Sequence, residues 1–250
     1  MVNASDLYRV LSVIGLAIVL SACSAVNQDI EIEDGAVVDR QLSTVNGAIR
    51  VGQRSTVNGG VANVNGGIVI GNGSQIGELR NVNGAISLAE GVSARSIETV
   101  NGALRLGAAS QIRGNVTSVN GVVEMGPDAR IDGALSNVNG AVRLDPGAIV
   151  QGRVSTANGP IRLRGATVGS IETSRGAIEV LDGSIVQGGL RIPRSQTPER
   201  NGPVRVVIGR DARVLGPMEF EREVELFVHD SASIGEVSGA TVQRFSGERP

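Results

Sequence analysis

The sequence predicts an all-β fold: a single-stranded parallel β-helix of about eight to ten coils, each of roughly 18–20 residues with three short strands. Three observations carry this expectation. A four-residue string ending in Gly recurs at a nearly fixed interval, an alternating apolar strand follows every copy, and the composition suits a thin core. There are 35 Gly, three Phe, one Tyr and no Trp, and all 23 basic residues are Arg. A thick globular core is hard to fill without large side chains, whereas a narrow cylinder lined by Val, Ile, Leu and Ala needs none.

The N-terminus comes first in the chain. Arg9 precedes an apolar run from Val10 to Leu20, which is too short to cross a bilayer as a helix and has signal-peptide proportions. The segment Leu20-Ser21-Ala22-Cys23 resembles a bacterial lipobox. That resemblance implies cleavage before Cys23 and its diacylation, so that lipid chains hold the mature protein to the membrane. Residues 1–22 then read as the signal peptide and 23–35 as the lipidated cysteine and a polar tether. Ser24, in place of the Asp that retains such lipoproteins at the inner membrane, favours the outer membrane of the cell envelope, with the periplasmic or surface face left open. Cys23 is the sole cysteine, so no intramolecular disulfide and no Cys-based metal site is available.

Residues 36–190 hold the repeat. Thr44-Val45-Asn46-Gly47, Asn63-Val64-Asn65-Gly66, Asn81-Val82-Asn83-Gly84, Thr99-Val100-Asn101-Gly102, Ser118-Val119-Asn120-Gly121, Asn137-Val138-Asn139-Gly140, Thr156-Ala157-Asn158-Gly159 and Thr173-Ser174-Arg175-Gly176 recur in order, and an off-phase Thr56-Val57-Asn58-Gly59 lies in the first interval. After each comes a pair such as Ile49 and Val51, Ile86 and Leu88, or Val142 and Leu144, whose period-two spacing sends both to one face. The residue between them, Arg50, Ser87 or Arg143, goes to the other. A second apolar site follows at Ile76, Ile112, Ile131 and Val150. A third segment carries Leu79, Ile97, Val116, Leu135, Val154 and Ile171, then the Val of the next Val-Asn-Gly. Three strands with Gly-containing corners make one triangular coil.

Stacked coils bring equivalent side chains into columns, so Asn46, Asn65, Asn83, Asn101, Asn120, Asn139 and Asn158 are expected to form a structural ladder along one edge. Asn and Gly both tolerate the left-handed backbone of a sharp corner. Asn-Gly is also a hairpin signal, but an antiparallel meander needs an equally strong turn midway through each repeat, and the midpoints carry only scattered glycines. A membrane barrel lacks its aromatic girdles here. Steps of six residues from Val64 to Ile112 also fit a left-handed hexapeptide helix; repeated 19-residue coils, which need a roomier corner, favour the right-handed form.

The repeat lapses over 191–203, where Pro193, Pro198 and Pro203 indicate a surface loop. Residues 204–250 resume it loosely and contain all three phenylalanines, Phe220, Phe227 and Phe245, as expected of atypical terminal coils that cap a solenoid.

Coils of the type Leu106-Gly107 to Val116 and Met125-Gly126 to Leu135 resemble the bactofilin family of polymer-forming bacterial β-helices, and also the putative-adhesin β-solenoids of cell-surface proteins. The resemblance covers roughly residues 36 to 190. It implies a right-handed helix that assembles end to end without nucleotide; the lipobox departs from bactofilins, which lie inside the cell.

Chemistry is sparsely represented. The single histidine, His229, sits beside Asp230 outside the repeats, and Asp128, Asp132 and Asp145 are the nearest approach to an acidic cluster, with Asp128 and Asp145 at near-equivalent corners of adjacent coils. No aromatic platform, phosphate-cradling loop, nucleophile elbow or His-rich metal motif accompanies them. A net charge of −2, scattered along the chain, supplies no field for nucleic acid. No cofactor, metal or catalytic residue is therefore expected. The reading is a non-catalytic envelope lipoprotein acting as a rigid scaffold or interaction surface, whose partners are the membrane, itself, other envelope proteins or glycans. The rival reading is a polysaccharide-processing or polysaccharide-binding β-helix.

Overall fold

The computed structural model describes residues 24–194 and 202–250, and the lipobox with Cys23 lies outside them. Among the described residues there is no helix; the chain is a parallel β-solenoid of about 11 turns with a repeat of about 19 residues. At about 4.8 Å per turn, the stack is roughly 50 Å long.

One coil illustrates the rest. Val123–Met125 is its first strand, Arg130–Ile131 its second and Leu135–Asn139 its third, and the chain then turns at Asn139-Gly140 into Val142–Leu144 of the next coil. First strands stack into a 12-stranded sheet from Ile30–Ile32 to Val242–Phe245. Second and third strands share a 19-stranded sheet, because in some coils they run together without a break, as in Gln75–Asn83 and Ser93–Asn101. Pairing is parallel and in step: Ile86 faces Leu104, Leu104 faces Val123, and Val123 faces Val142. Backbone groups bond to the coil on either side, as when Ile86 N–H donates to Ala103 O at 2.9 Å and Ala89 N–H to Ile70 O at 3.0 Å. Period-two alternation then places Ile49, Ile68, Ile86, Leu104, Val123, Val142, Ile161 and Ile178 in one fully buried column. Ile112, Ile131 and Val150 of the second strand are equally buried, as are Leu79, Ile97, Val116 and Leu135 of the third.

Three features differ from the sequence reading. Residues 24–35, read as a tether, begin the solenoid: Ser24 and Ala25 pair with Ser43 and Thr44, and Ile30–Ile32 pairs with Ile49–Val51. Counting this coil and the terminal ones brings the turns to about 11, above the eight to ten expected. The valines of Val-Asn-Gly do not line the core. Val45, Val64, Val82, Val100 and Val138 are half-buried on the outer face, while the residue before each, Thr44, Asn63, Asn81, Thr99 or Asn137, is buried inside. The third strand enters on an inward Leu, Ile or Val, so two residues later the inward position is the polar one, and the valine falls on the opposite face. Finally, Asp128 and Asp145 turn the same corner two residues apart in register: Asp128 N–H bonds Pro146 O, whereas Asp145 N–H bonds Met125 O.

Coil length varies chiefly at one corner, although the coil from Ile161 to Ile178 also loses a residue between Leu163 and Val168. From the inward residue of the second strand to that of the third is four residues in most coils, as from Ile112 to Val116, but three from Ile76 to Leu79, from Ala94 to Ile97 and from Val168 to Ile171. The extra residue of a 19-residue coil is thus absorbed at that corner, beside Gly114, Gly133 or Gly152. The strand Leu190–Ile192 ends at the position where the Asn-Gly corner follows in earlier coils, and the next first strand is Val204–Ile208. Beyond it the register resumes, with Ile178 facing Val206 and Val206 facing Leu226.

Candidate functional site

The most regular surface feature is the asparagine edge. Asn65 Nδ2 donates to Asn46 Oδ1 at 2.8 Å, and the same bond joins Asn83 to Asn65 (2.8 Å), Asn101 to Asn83 (2.9 Å), Asn120 to Asn101 (2.9 Å), Asn139 to Asn120 (2.8 Å) and Asn158 to Asn139 (2.7 Å). An eighth member, Asn27, accepts from Asn46 at 2.6 Å. Sequence reasoning overlooked Asn27 because Gln28 stands where the other copies have Gly. Its signal was the pair Val26-Asn27, 19 residues before Val45-Asn46. The amides are exposed, and every interior one both donates and accepts along the column, which leaves one amide hydrogen per Asn facing solvent.

Behind the ladder lies a polar column that the sequence reading also missed. Thr44, Asn63, Asn81, Thr99, Ser118, Asn137, Thr156 and Thr173 are each at most 4 % exposed. Asn81 Nδ2 donates to Gly66 O at 3.1 Å and Gly84 O at 2.8 Å, and Asn137 Nδ2 to Gly121 O at 2.9 Å and Gly140 O at 3.0 Å. Thr156 and Thr173 reverse the polarity, their hydroxyl oxygens accepting from Gly159 N–H and Gly176 N–H. The column therefore ties the corner glycines of successive coils. The stabilisation is incomplete: Asn63 Oδ1, Asn81 Oδ1, Thr99 Oγ1, Ser118 Oγ and Asn137 Oδ1 are buried without a hydrogen-bond partner. Where the Asn-Gly corner stops, the same position becomes Ile192 and then Phe220, both buried.

The outer columns are charged. Glu124 lies between Arg105 (3.1 Å) and Arg143 (3.3 Å), Arg80 reaches Glu98 (3.5 Å) and Glu78 (3.0 Å), Arg153 reaches Glu172 (3.0 Å), and Arg162 pairs with Glu179. Most of these groups are a third or more exposed, so each pair contributes only about 0–1 kcal/mol. At the first coil, Asp29 accepts from Ala48 N–H (2.7 Å) and from Arg50 (2.8 Å). These two bonds hold its carboxyl below the usual carboxylate range, and the bond to Asp29 raises Arg50.

The remaining sequence candidates are dispersed. Asp128 and Asp145 are exposed corner residues, and Asp128 adopts φ +58°. Asp132 is held by Arg130 Nε at 2.5 Å and by Gln111 at 3.3 Å. His229, 8 % exposed, packs edge-on against Phe245 at 5.2 Å, and its Nδ1 accepts from Ser231 N–H at 3.1 Å. These residues do not converge, and no group of three or more His, Cys, Asp or Glu able to hold a metal ion occurs among the described residues. No protein-family model, curated protein or solved structure matches this chain.

Proposed function

We propose that the protein is a lipid-anchored component of the cell envelope, held at the outer membrane through Cys23, that acts as a rigid rod-shaped scaffold or interaction surface rather than as a catalyst. The observation that carries this reading is the unbroken stack itself: about 11 coils in continuous parallel register, tied along one edge by eight asparagines. Such a stack resists bending because each coil is bonded to both neighbours, and it presents its side chains at a fixed spacing of about 4.8 Å. Self-association fits the same reading. Among the described residues Ile30–Ile32 and Val37–Val38 pair on one side only, with Val37 69 % exposed, and the last coil leaves Val237 and Val242 partly covered.

Electron microscopy of the purified mature protein tests the shape. Rods of roughly 50 Å, or end-to-end multiples of that length, are expected from the coil spacing; rounded particles would overturn the reading. Fractionation tests the anchor. Cys23→Ala should release the protein from membranes, and a variant that stays membrane-bound would exclude lipid at Cys23 as its attachment.

A further inference from the structure

We infer that the recessed corner around Gly77 is an oxyanion-binding site whose ligands are the guanidinium groups of Arg95 and Arg113. The inference is independent of the scaffold reading above.

The recess has a cause in the sequence. The coils containing Gly77 and Arg95 are the two adjacent coils that lack the extra corner residue, so Gln75–Asn83 and Ser93–Asn101 cut straight across. The coil below spends an additional residue on Asn58-Gly59-Gly60, and the coil above on Arg113-Gly114-Asn115. Two short coils between longer ones leave a groove lined by Asn58, Gln75, Gly77, Ser93, Arg95 and Arg113. Its floor is bare backbone at Gly77, where a Cβ would approach Asn58 O to 2.8 Å.

Ala94 pairs with Ile112, so the backbones at the residues that follow, Arg95 and Arg113, lie on adjacent coils at the strand spacing of about 4.8 Å. Many arginines of the solenoid meet a carboxylate on a neighbouring coil, as Arg105 meets Glu124 and Arg153 meets Glu172. Even Arg143 and Arg162, which also face each other in register, have Glu124 and Glu179 respectively. Arg95 and Arg113 make no side-chain hydrogen bond or ion pair among the described residues. The adjacent acids are engaged: Glu78 with Arg80, Asp132 with Arg130 and Gln111, and Asp39 with the Asn58 amide at 2.7 Å. Two unneutralised cations on adjacent coils of one groove repel each other, and an anion between them turns that repulsion into two attractions. Guanidinium groups match a phosphate, sulfate or carboxylate, giving each oxygen a charge-assisted hydrogen bond. The Gln75 amide and Ser93 hydroxyl line the same groove and supply further polar contacts.

The test is titration of sulfate, phosphate and acetate into the full-length mature protein, read by NMR of the arginine Nε–H signals. Saturable shifts of Arg95 and Arg113 are expected. Arg95→Gln or Arg113→Gln should weaken binding about tenfold or more, as loss of a charge-assisted bond implies, while Arg164→Gln, remote from the groove, leaves it unchanged. Both substituted arginines are exposed, so the fold should persist, which circular dichroism checks. Co-sedimentation with dextran sulfate, and with neutral dextran as control, separates the carriers. Tighter binding to dextran sulfate than to inorganic sulfate assigns the site to an anion on a polymer, and equal affinity per sulfate assigns it to a free ion. Absence of saturation by about 100 mM anion, a concentration far above the dissociation constant of a useful site, would overturn the inference, as would binding that survives the double substitution.

Discussion

Each coil turns sharply on either side of its first strand, yet only one of the two turns insists on glycine. Entering the strand, Gly66, Gly84, Gly102, Gly121 and Gly140 adopt φ between +131° and +151°. Leaving it, the equivalent positions are Arg54, Gly73, Gly91, Ala109, Asp128 and Gly147, with φ between +53° and +79°. Both values are unusual for L-residues, so backbone torsion alone does not explain the difference. The surroundings do. A Cβ on Gly121 would overlap the carbonyl oxygen of Gly102 in the coil below, and the same is true up the column, whereas a Cβ on Gly73 or Gly91 would meet nothing nearer than 3.8 Å. The strict corner is dictated by the backbone of the neighbouring coil; at the tolerant one Gly73 and Gly91 answer only to their own torsion, and a Cβ on Gly147 would meet the exposed Asp128 carboxylate.

Gly121→Ala attacks the strict corner directly and should have the largest effect, about 3–5 kcal/mol, since it combines a forbidden torsion with overlap against backbone that cannot move aside. Denaturant unfolding measures it, and a loss below about 1 kcal/mol would remove the distinction between the corners. Asn81→Ala, which removes the two donors to Gly66 O and Gly84 O, should cost about 2 kcal/mol by leaving buried carbonyls unpaired. A neutral result would mean that the inner polar column does not support the corner. Gly91→Ala, at the tolerant corner, should cost only about 1 kcal/mol, the left-handed penalty partly offset by a less flexible unfolded chain. A cost equal to that of Gly121→Ala would show that torsion, not stacking, selects glycine.

The interval between glycines exposed the repeat, and the pairs from Ile49 and Val51 to Ile178 and Val180 identified the core, because both signals survive substitution among Ile, Leu and Val. What escaped notice was positional. Val45 and Thr44 exchange their expected sides because the inward phase is set at Leu42, on the far side of a corner whose length varies. The first coil was hidden because Gln28 interrupts the Asn-Gly string. The groove at Gly77 is written only as a missing residue, which gains meaning once coils are stacked and compared. The seven asparagines were legible as a column because equal spacing along a chain becomes adjacency in a solenoid. The buried Thr, Asn and Ser behind them were not, since hydroxyl and amide side chains in a strand ordinarily signal solvent.

The side-chain bonds of the asparagine edge all join residues 18 or 19 positions apart. Under tension applied to one terminus, such a molecule yields at its outermost coil alone, and the load reaches the next only after that one has opened. It should lengthen in steps of one repeat at nearly constant force, peeling like tape, instead of failing in a single rupture.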